Sequence, residues 1–520
     1  MLPVSFGLFA TTIAWLAELG WWSYFVWSGR LLGACFIPSV ILQPKIRPLA
    51  AVAWILALLF VPYLGVALWW TMGRNQMRRR QKHHRRATER ISEHLDNLEQ
   101  AVRPRPFNGD DRSDLDRIFA SRRLILQDEH NLFPATDNNT VVHYPGARPA
   151  FDAFEDAIEE ADDHIHFLFY VWRDDETGRR FRDLLARRAQ DGLEVRVLYD
   201  SVGSVSIGRR FTQPLTDAGA QVASFMPVRI WERRLRVNFR NHRKLLIVDG
   251  RCAFTGGVNI ADEYLEWFDM AFGFRGPIVH QMQQVFVEDW YSSTGEKLAR
   301  TEYFPHLERR QRLQKTGETE EIEQTGAIHL LDESSRAFDT RARFVASGPD
   351  DHFETIHKMF FSAATSARRR LDVITPYFVP DEAMSTALQT AAMQGVDVRI
   401  LLPAQTDVVL TQHAGRSFWE PLLEAGVRLF EYRKRILHAK LLVIDDRHVI
   451  AGSANMDLRS FRLNFEANAI IDDRRFNRQM SGVFERAIDN SDEVDLDAFR
   501  DRPRRTRLLE GLARLFSPLL

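Results

Sequence analysis

Residues 241–259 read NHRKLLIVDGRCAFTGGVN, and residues 437–455 read LHAKLLVIDDRHVIAGSAN. Each holds His-x-Lys, four apolar residues, Asp, six residues and then Gly-Gly/Ser-x-Asn. His242, Lys244, Asp249, Gly256, Gly257 and Asn259 recur as His438, Lys440, Asp445, Gly452, Ser453 and Asn455, all at an offset of 196. Phe268-Asp269 is answered by Phe465-Glu466 at 197. In a strand, residues two apart share a face, so His and Lys of each copy are expected to project together. The apolar residues carry the strand into a core, and Asp249-Gly250 and Asp445-Asp446 turn the chain back. The glycines then permit a tight loop that returns the asparagine toward the His/Lys face.

The flanks repeat too. Phe151, Phe154 and Ile158 recur at helical spacing, and His164–Trp172 is a strand-like run. An amphipathic helix over Arg179–Arg188 leads to a strand at Glu194–Tyr199. Later, Leu371–Val379, Asp381–Met393 and Asp397–Leu402 read as strand, helix and strand. Alternation of this kind predicts a mostly parallel α/β sandwich in each half. Two copies exclude a solenoid and predict one bilobed, pseudo-twofold domain. The boundaries expected are 136–300 for the first half and 346–500 for the second, with a charged connector at 301–345.

Of 520 residues, 69 are Lys or Arg and 70 Asp or Glu, so a bulk polycation built to coat nucleic acid is excluded. Two cysteines, Cys35 and Cys252, exclude a disulfide framework and a four-cysteine zinc site. The N-terminus differs from the rest. Phe6–Trp27 carries one charge, Glu18, and Leu49–Met72 carries none, and either is long enough to cross a bilayer as a helix. Residues 1–75 therefore read as a membrane anchor of two transmembrane helices, the second kinked at Pro62, and 76–135 as a basic connector. Arg30, Lys45 and Arg47 fall between the spans, whereas Arg74, Arg78–Arg80, Lys82, Arg85, Arg86 and Arg90 follow the second. The positive-inside rule then puts the catalytic part in the cytoplasm. His83-His84 in that run reads as headgroup-facing, and His164 and His166 as packed strand residues. The tail, 501–520, carries Leu508, Leu509, Leu512, Leu515 and Phe516 on one helical face beside arginines. It could lie on a membrane or dock on the protein.

Two facing copies supply paired histidines, lysines and asparagines, a set suited to in-line displacement at phosphorus. One imidazole attacks, the other protonates the leaving oxygen, and cationic and amide donors hold the developing charge. No Gly-rich phosphate loop ending in Lys-Ser/Thr and no aspartate cluster at metal spacing is present, so no metal, cofactor or nucleotide is expected.

At these residues the chain resembles the phospholipase D superfamily, marked by paired HxKxxxxD motifs. It is similar, more narrowly, to bacterial cardiolipin synthases through Ile374–Glu382, Arg459-Ser460, Asn464-Phe-Glu466, the apolar N-terminus and Ala513–Leu520. The resemblance implies two pseudo-symmetric phospholipase D-like α/β halves behind two transmembrane helices in a bacterial inner membrane. It also implies transfer of a phosphatidyl group from one phosphatidylglycerol to another, with release of glycerol. The motif positions are His242, Lys244, Asp249, His438, Lys440 and Asp445, of which Asp249 and Asp445 read as turn residues. By analogy His242 is the nucleophile and His438 the general acid. Lys244, Asn259, Lys440, Ser453 and Asn455 would bind phosphate, and Asp269 and Glu466 would orient histidines. The motifs leave two alternatives open, water as acceptor and phosphatidylethanolamine as donor, whereas intact lysines, asparagines and histidines in both copies argue against a scaffold with a retired site. Membrane spans favour lipid over nucleic acid as substrate.

Overall fold

The computed structural model describes residues 20–43, 48–70, 133–226, 239–298, 300–305, 336–349, 351 and 354–517. The chain divides into an N-terminal helical unit and a catalytic unit.

In the first unit, Trp21–Ile41 is a helix, and Pro48–Phe60 and Pro62–Leu68 are two more, separated at Val61. Proline at the first position of the third helix explains the break, since it has no N–H to continue the second. The helices meet closely. A Cβ on Gly33 would sit 1.9 Å from the Leu58 carbonyl oxygen, and Trp69 Nε1 donates to Ser39 Oγ at 2.8 Å. Trp21, Leu31, Ile41 and Phe60 are left exposed.

The first apolar helix differs from the sequence expectation. It begins at Trp21 and runs through Arg30, which the sequence reading put in a loop; residues 6–19, with Glu18, lie outside the described residues. The Arg30 guanidinium lies over the Trp27 ring at 5.5 Å, and a single snorkelling arginine need not end a helix. Among the described residues one helix, at Ser23–Ile41, is long and apolar enough to cross a membrane; Ala50–Phe60 is shorter. The basic cluster at 74–90, with His83-His84, is outside the described residues.

In the catalytic unit the first half supplies strands β1 (Thr136–Pro145), β2 (His164–Phe169), β3 (Glu194–Asp200), β4 (Gln221–Phe225), β5 (Arg240–Asn241), β6 (Leu245–Val248), β7 (Cys252–Gly256) and β8 (Met270–Arg275). The second supplies β9 (Arg336–Ser347), β10 (Arg370–Ile374), β11 (Phe378–Val379), β12 (Asp397–Pro403), β13 (Arg428–Tyr432), β14 (Leu441–Ile444), β15 (His448–Gly452), β16 (Met456–Asp457), β17 (Asn464–Asp472) and β18 (Ser491–Glu493). One sheet runs β18-β13-β12-β10-β14-β15-β17-β9-β1-β8-β7-β6-β2-β3-β4. Outward from the antiparallel β1/β9 pair, the order β1-β8-β7-β6-β2-β3-β4 mirrors β9-β17-β15-β14-β10-β12-β13. The pseudo-twofold therefore passes between β1 and β9. β9 starts inside the stretch read as connector, 301–345, so the second half begins earlier than expected.

The sheet is mixed and not mostly parallel, which corrects the sequence expectation. Along that strand order only β2-β3-β4 and β10-β12-β13 run parallel, being joined by helices such as Glu176–Gln190 and Glu382–Met393. The motif strands enter antiparallel because they belong to hairpins, and short turns connect only antiparallel neighbours. Asp249 and Gly250 both have left-handed backbones (φ 54° and 59°) in the β6–β7 turn, and Asp445 (φ 52°) takes the matching place before β15. The Asp249 carboxylate accepts the backbone N–H groups of Asp162, Asp163 and His164, each at 2.9 Å. The Asp445 carboxylate accepts those of Arg368, Arg369 and Arg370 at 2.8–3.2 Å. Each aspartate thus ties its motif hairpin to the first residues of β2 or β10. Asp249→Ala leaves three N–H groups unmet, and a loss of about 2–4 kcal/mol is expected. Thermal unfolding of the purified variant checks this; an unchanged midpoint would show that water satisfies those groups equally well.

Helices cover the strands. Phe151, Phe154 and Phe181 pack against Phe167 and Phe169 in the first half, and Met384, Leu388 and Trp419 pack with Val398, Ile400 and Leu402 in the second. The four residues of β6 and of β14 are buried throughout. That holds the residues just before them, the two His-x-Lys segments, in place.

Candidate active site

His242–Lys244 and His438–Lys440 precede β6 and β14 as extended segments outside the strands, a small correction to the expected in-strand position. What fixes them is a crossed pairing of the halves. β5 pairs in parallel with the start of β17, and His242 N donates to Phe465 O at 2.9 Å. Symmetrically, Phe268 bridges Leu437, and His438 N donates to Phe268 O at 2.8 Å. The residue after Phe465 is Glu466 and the residue after Phe268 is Asp269. Each histidine therefore lies beside the acid of the opposite half.

His242 Nδ1 donates to Glu466 at 2.9–3.0 Å, and His438 Nδ1 donates to Asp269 Oδ2 at 2.6 Å. An Nδ1–H held by a carboxylate leaves Nε2 as the basic, outward nitrogen. The His242 ring is 9% exposed and that of His438 6%, whereas both acids are fully buried. Tyr170 stands edge-on to His242 at 4.8 Å; Trp267 at 5.2 Å, Tyr264 at 5.5 Å and Tyr377 at 6.4 Å surround His438.

The lysines complete the cluster. Lys244 Nζ donates to the His242 carbonyl at 2.8 Å and lies 5.3 Å from the Tyr170 ring centre. Lys440 Nζ donates to the His438 carbonyl and rests against that imidazole. Burial, reinforced by Lys440, holds Lys244 well below an ordinary ammonium, and burial brings Lys440 to about 8. Two ammonium groups destabilised in this way favour an anion between them. Burial lowers His242 to about 4 and, with Lys440, also lowers His438. Burial alone would raise Glu466, but His242 and Lys244 outweigh it and keep the carboxyl below its usual range.

A histidine lowered to about 4 from 6.5 binds its proton more readily in the unfolded chain, so it makes stability fall as pH drops from 6.5 toward 4. For His242 this amounts to about 2 kcal/mol at pH 5 relative to pH 8. His143, His164, His166 and His438 are lowered by burial in the same direction. Unfolding midpoints measured at pH 8 and pH 5 are expected to fall steeply, with a shallower fall for His242→Gln. A flat profile would mean these imidazoles fold charged.

The other expected site residues divide. Asn455 is buried, and its Oδ1 has no hydrogen-bond partner among the described residues. Asn259 is committed within the fold: Oδ1 accepts Val171 N at 3.0 Å and Nδ2 donates to Tyr264 Oη at 2.6 Å. The Ser453 hydroxyl donates to Glu466 at 2.5 Å and accepts Ala467 N at 2.9 Å. Asn259 thus positions Tyr264 and Ser453 positions Glu466, where the sequence reading expected both to bind phosphate. Asp249 and Asp445, counted among the motif's catalytic positions, sit at the far ends of β6 and β14 and stay out of the cluster.

The Ser453/Gly257 difference matches the Glu466/Asp269 difference. A Cβ on Gly257 would sit 2.0 Å from Asp269 Oδ1, so this side admits no side chain beside its acid. Sequence reasoning missed Arg243, whose guanidinium pairs with buried Asp289 at 2.7 Å and donates to the carbonyls of Glu466 and Ser347. Its counterpart is Ala439, so the repeat gave no signal for it.

Residues 154–290 and 361–488 match the family described as cardiolipin synthase, PLD-like domain. The chain is 33% identical over 517 residues to a cardiolipin synthase of Geobacillus sp. (strain WCH70), covering 95% of each. It is 37% identical over 377 residues to cardiolipin synthase 2 of Bacillus anthracis, covering 71% of this chain and 68% of that one. Among solved structures, the phosphatidylserine synthase of Haemophilus influenzae Rd KW20 aligns with a TM-score of 0.54 at 15% identity. That alignment covers 78% of this chain and all of that one, and shows a shared fold.

Proposed function

Because the chain belongs to the cardiolipin synthase family with the PLD-like domain, we propose that it makes cardiolipin from two phosphatidylglycerol molecules. The observation that carries this reading is the pair of histidines, each held at Nδ1 by a buried carboxylate from the opposite half, with a lysine beside each.

His242 Nε2 attacks the phosphorus of the first phosphatidylglycerol. The anionic phosphodiester beside His438 favours its protonated form, and as the bond to the headgroup glycerol breaks, His438 gives the Nε2 proton to the departing oxygen, leaving phosphatidyl-histidine and free glycerol. Lys244, Lys440 and Asn455 hold the phosphoryl oxygens. A headgroup hydroxyl of the second phosphatidylglycerol then passes its proton to His438 and attacks phosphorus. The N–P bond breaks, cardiolipin forms and both imidazoles return to their starting state. One phosphodiester replaces another, so no nucleotide enters. Glu466 and Asp269 keep each imidazole in the tautomer these steps need. The apolar helices of residues 20–70 would hold the enzyme in a bacterial inner membrane as a multi-pass anchor, with the catalytic unit cytoplasmic.

The test is a lipid assay on the detergent-solubilised chain, with phosphatidylglycerol labelled in its headgroup glycerol and chelator present. Cardiolipin and free glycerol in equal amounts are expected. Phosphatidic acid with glycerol would make water the acceptor, and turnover only with phosphatidylethanolamine would change the donor.

A further inference from the structure

We propose that the helix Arg504–Arg514 is a docking face for an anionic phospholipid bilayer, fixed to the catalytic unit so that the lipid surface meets the rim of the site beside His438. The choice of bilayer as occupant rests on the phosphatidyl-transfer reading, since the substrate would reside there.

The helix has two different faces. Inward, Glu510 (1% exposed) pairs with Arg502 at 2.9 Å and Arg416 at 3.4 Å, and Ala513 packs with Val379, Ala414 and Phe418. A buried carboxylate shared by two arginines makes this a fixed element and no loose tail. Outward, Leu508 (65%), Leu512 (49%), Leu515 (73%), Leu509 and Phe516 are exposed. Spacings of three and four residues set them on one stripe. The fold has already used the packing face, and it placed Glu and Ala there; the large apolar side chains were left for something else.

Charge identifies the occupant. Arg504, Arg505 and Arg507 are exposed and have no carboxylate partner among the described residues. An apolar stripe bordered by arginine is the pattern of a helix lying in the headgroup layer of an anionic membrane. A second copy meeting this face across a twofold would instead bring arginines against arginines.

Position links the face to the chemistry. The helix lies on Val409–Arg416, where the N-cap Val408 and the first two helical residues, Val409 and Leu410, are three more exposed apolar residues. The residue before them, Asp407, accepts the Tyr377 hydroxyl at 2.7–2.8 Å, and the Tyr377 ring stands 6.4 Å from that of His438. The apolar surface thus extends toward the rim of the site on the His438 side.

The test uses the full chain with Cys35→Ser, which leaves only buried Cys252, and one added cysteine, Leu512→Cys or Asp191→Cys. Each variant is labelled with an environment-sensitive fluorophore and reconstituted into phosphatidylcholine/phosphatidylglycerol vesicles with spin-labelled acyl chains. Quenching at 512 severalfold above that at 191, weakened by salt, is expected. Equal quenching overturns the proposal, as does cross-linking between 512 of two copies without quenching. In the Leu508→Ser/Leu512→Ser/Leu515→Ser variant, turnover on vesicle phosphatidylglycerol is expected to fall at least tenfold while turnover on dispersed short-chain phosphatidylglycerol is kept. Equal losses on both would overturn the docking role. Quenching is read without turnover, so failure of the transferase reading leaves the docking result intact.

Discussion

His242→Ala and His438→Ala are each expected to lower cardiolipin formation by about 10⁴-fold or more, since one removes the attacking group and the other the proton donor. Both rings lie in one cluster, with Nε2 as the basic nitrogen and Nδ1 tied to a carboxylate. Their roles separate when the leaving group changes. A phosphatidyl donor carrying p-nitrophenol departs without a proton, so it restores release in His438→Ala and leaves His242→Ala inactive. Rescue of His242→Ala alone would exchange the two roles. Near-full activity of either variant on phosphatidylglycerol would sink the two-histidine mechanism.

The second large effect is expected at the acids, and its pattern is crossed. A carboxylate that orients a catalytic histidine is worth up to about 10⁴-fold in rate. Glu466→Gln and Asp269→Asn are each expected to cost about 10²–10⁴-fold while the fold is kept. With the p-nitrophenol donor, Asp269→Asn should recover like His438→Ala, and Glu466→Gln should stay slow like His242→Ala. An uncrossed arrangement predicts the reverse pattern. Gly257→Ala should resemble Asp269→Asn, because its Cβ takes the place of the Asp269 carboxylate.

Much was legible in the chain because it is written locally. Period-two and period-3.6 patterns placed β2, β3, β12 and the helices near Phe151 and Asp381 within a few residues of where they lie. The duplicated motif gave the twofold and the histidine and lysine positions. The basic and apolar residues of the tail were visible too, yet whether it docked or faced outward stayed open, and the structure shows it docked through Glu510 and Ala513. Arg30 reads as a residue between spans because hydropathy alone gives it the weight of a break, while a helix can lift one guanidinium along a tryptophan face.

By itself the sequence determined what each half carries: a His-x-Lys segment, a buried hairpin, a turn aspartate and an acid about 27 residues after the histidine. Only the tertiary structure decided which acid serves which histidine, and why Ser453 and Asn259 act on neighbours. The reason is physical. Spacing along the chain constrains contacts within one repeat, but β5 meets β17, and Phe268 meets Leu437, across the twofold. Hydrogen bonds between elements about 170 to 220 residues apart leave no periodicity to read. They exist only once both halves have closed around the site.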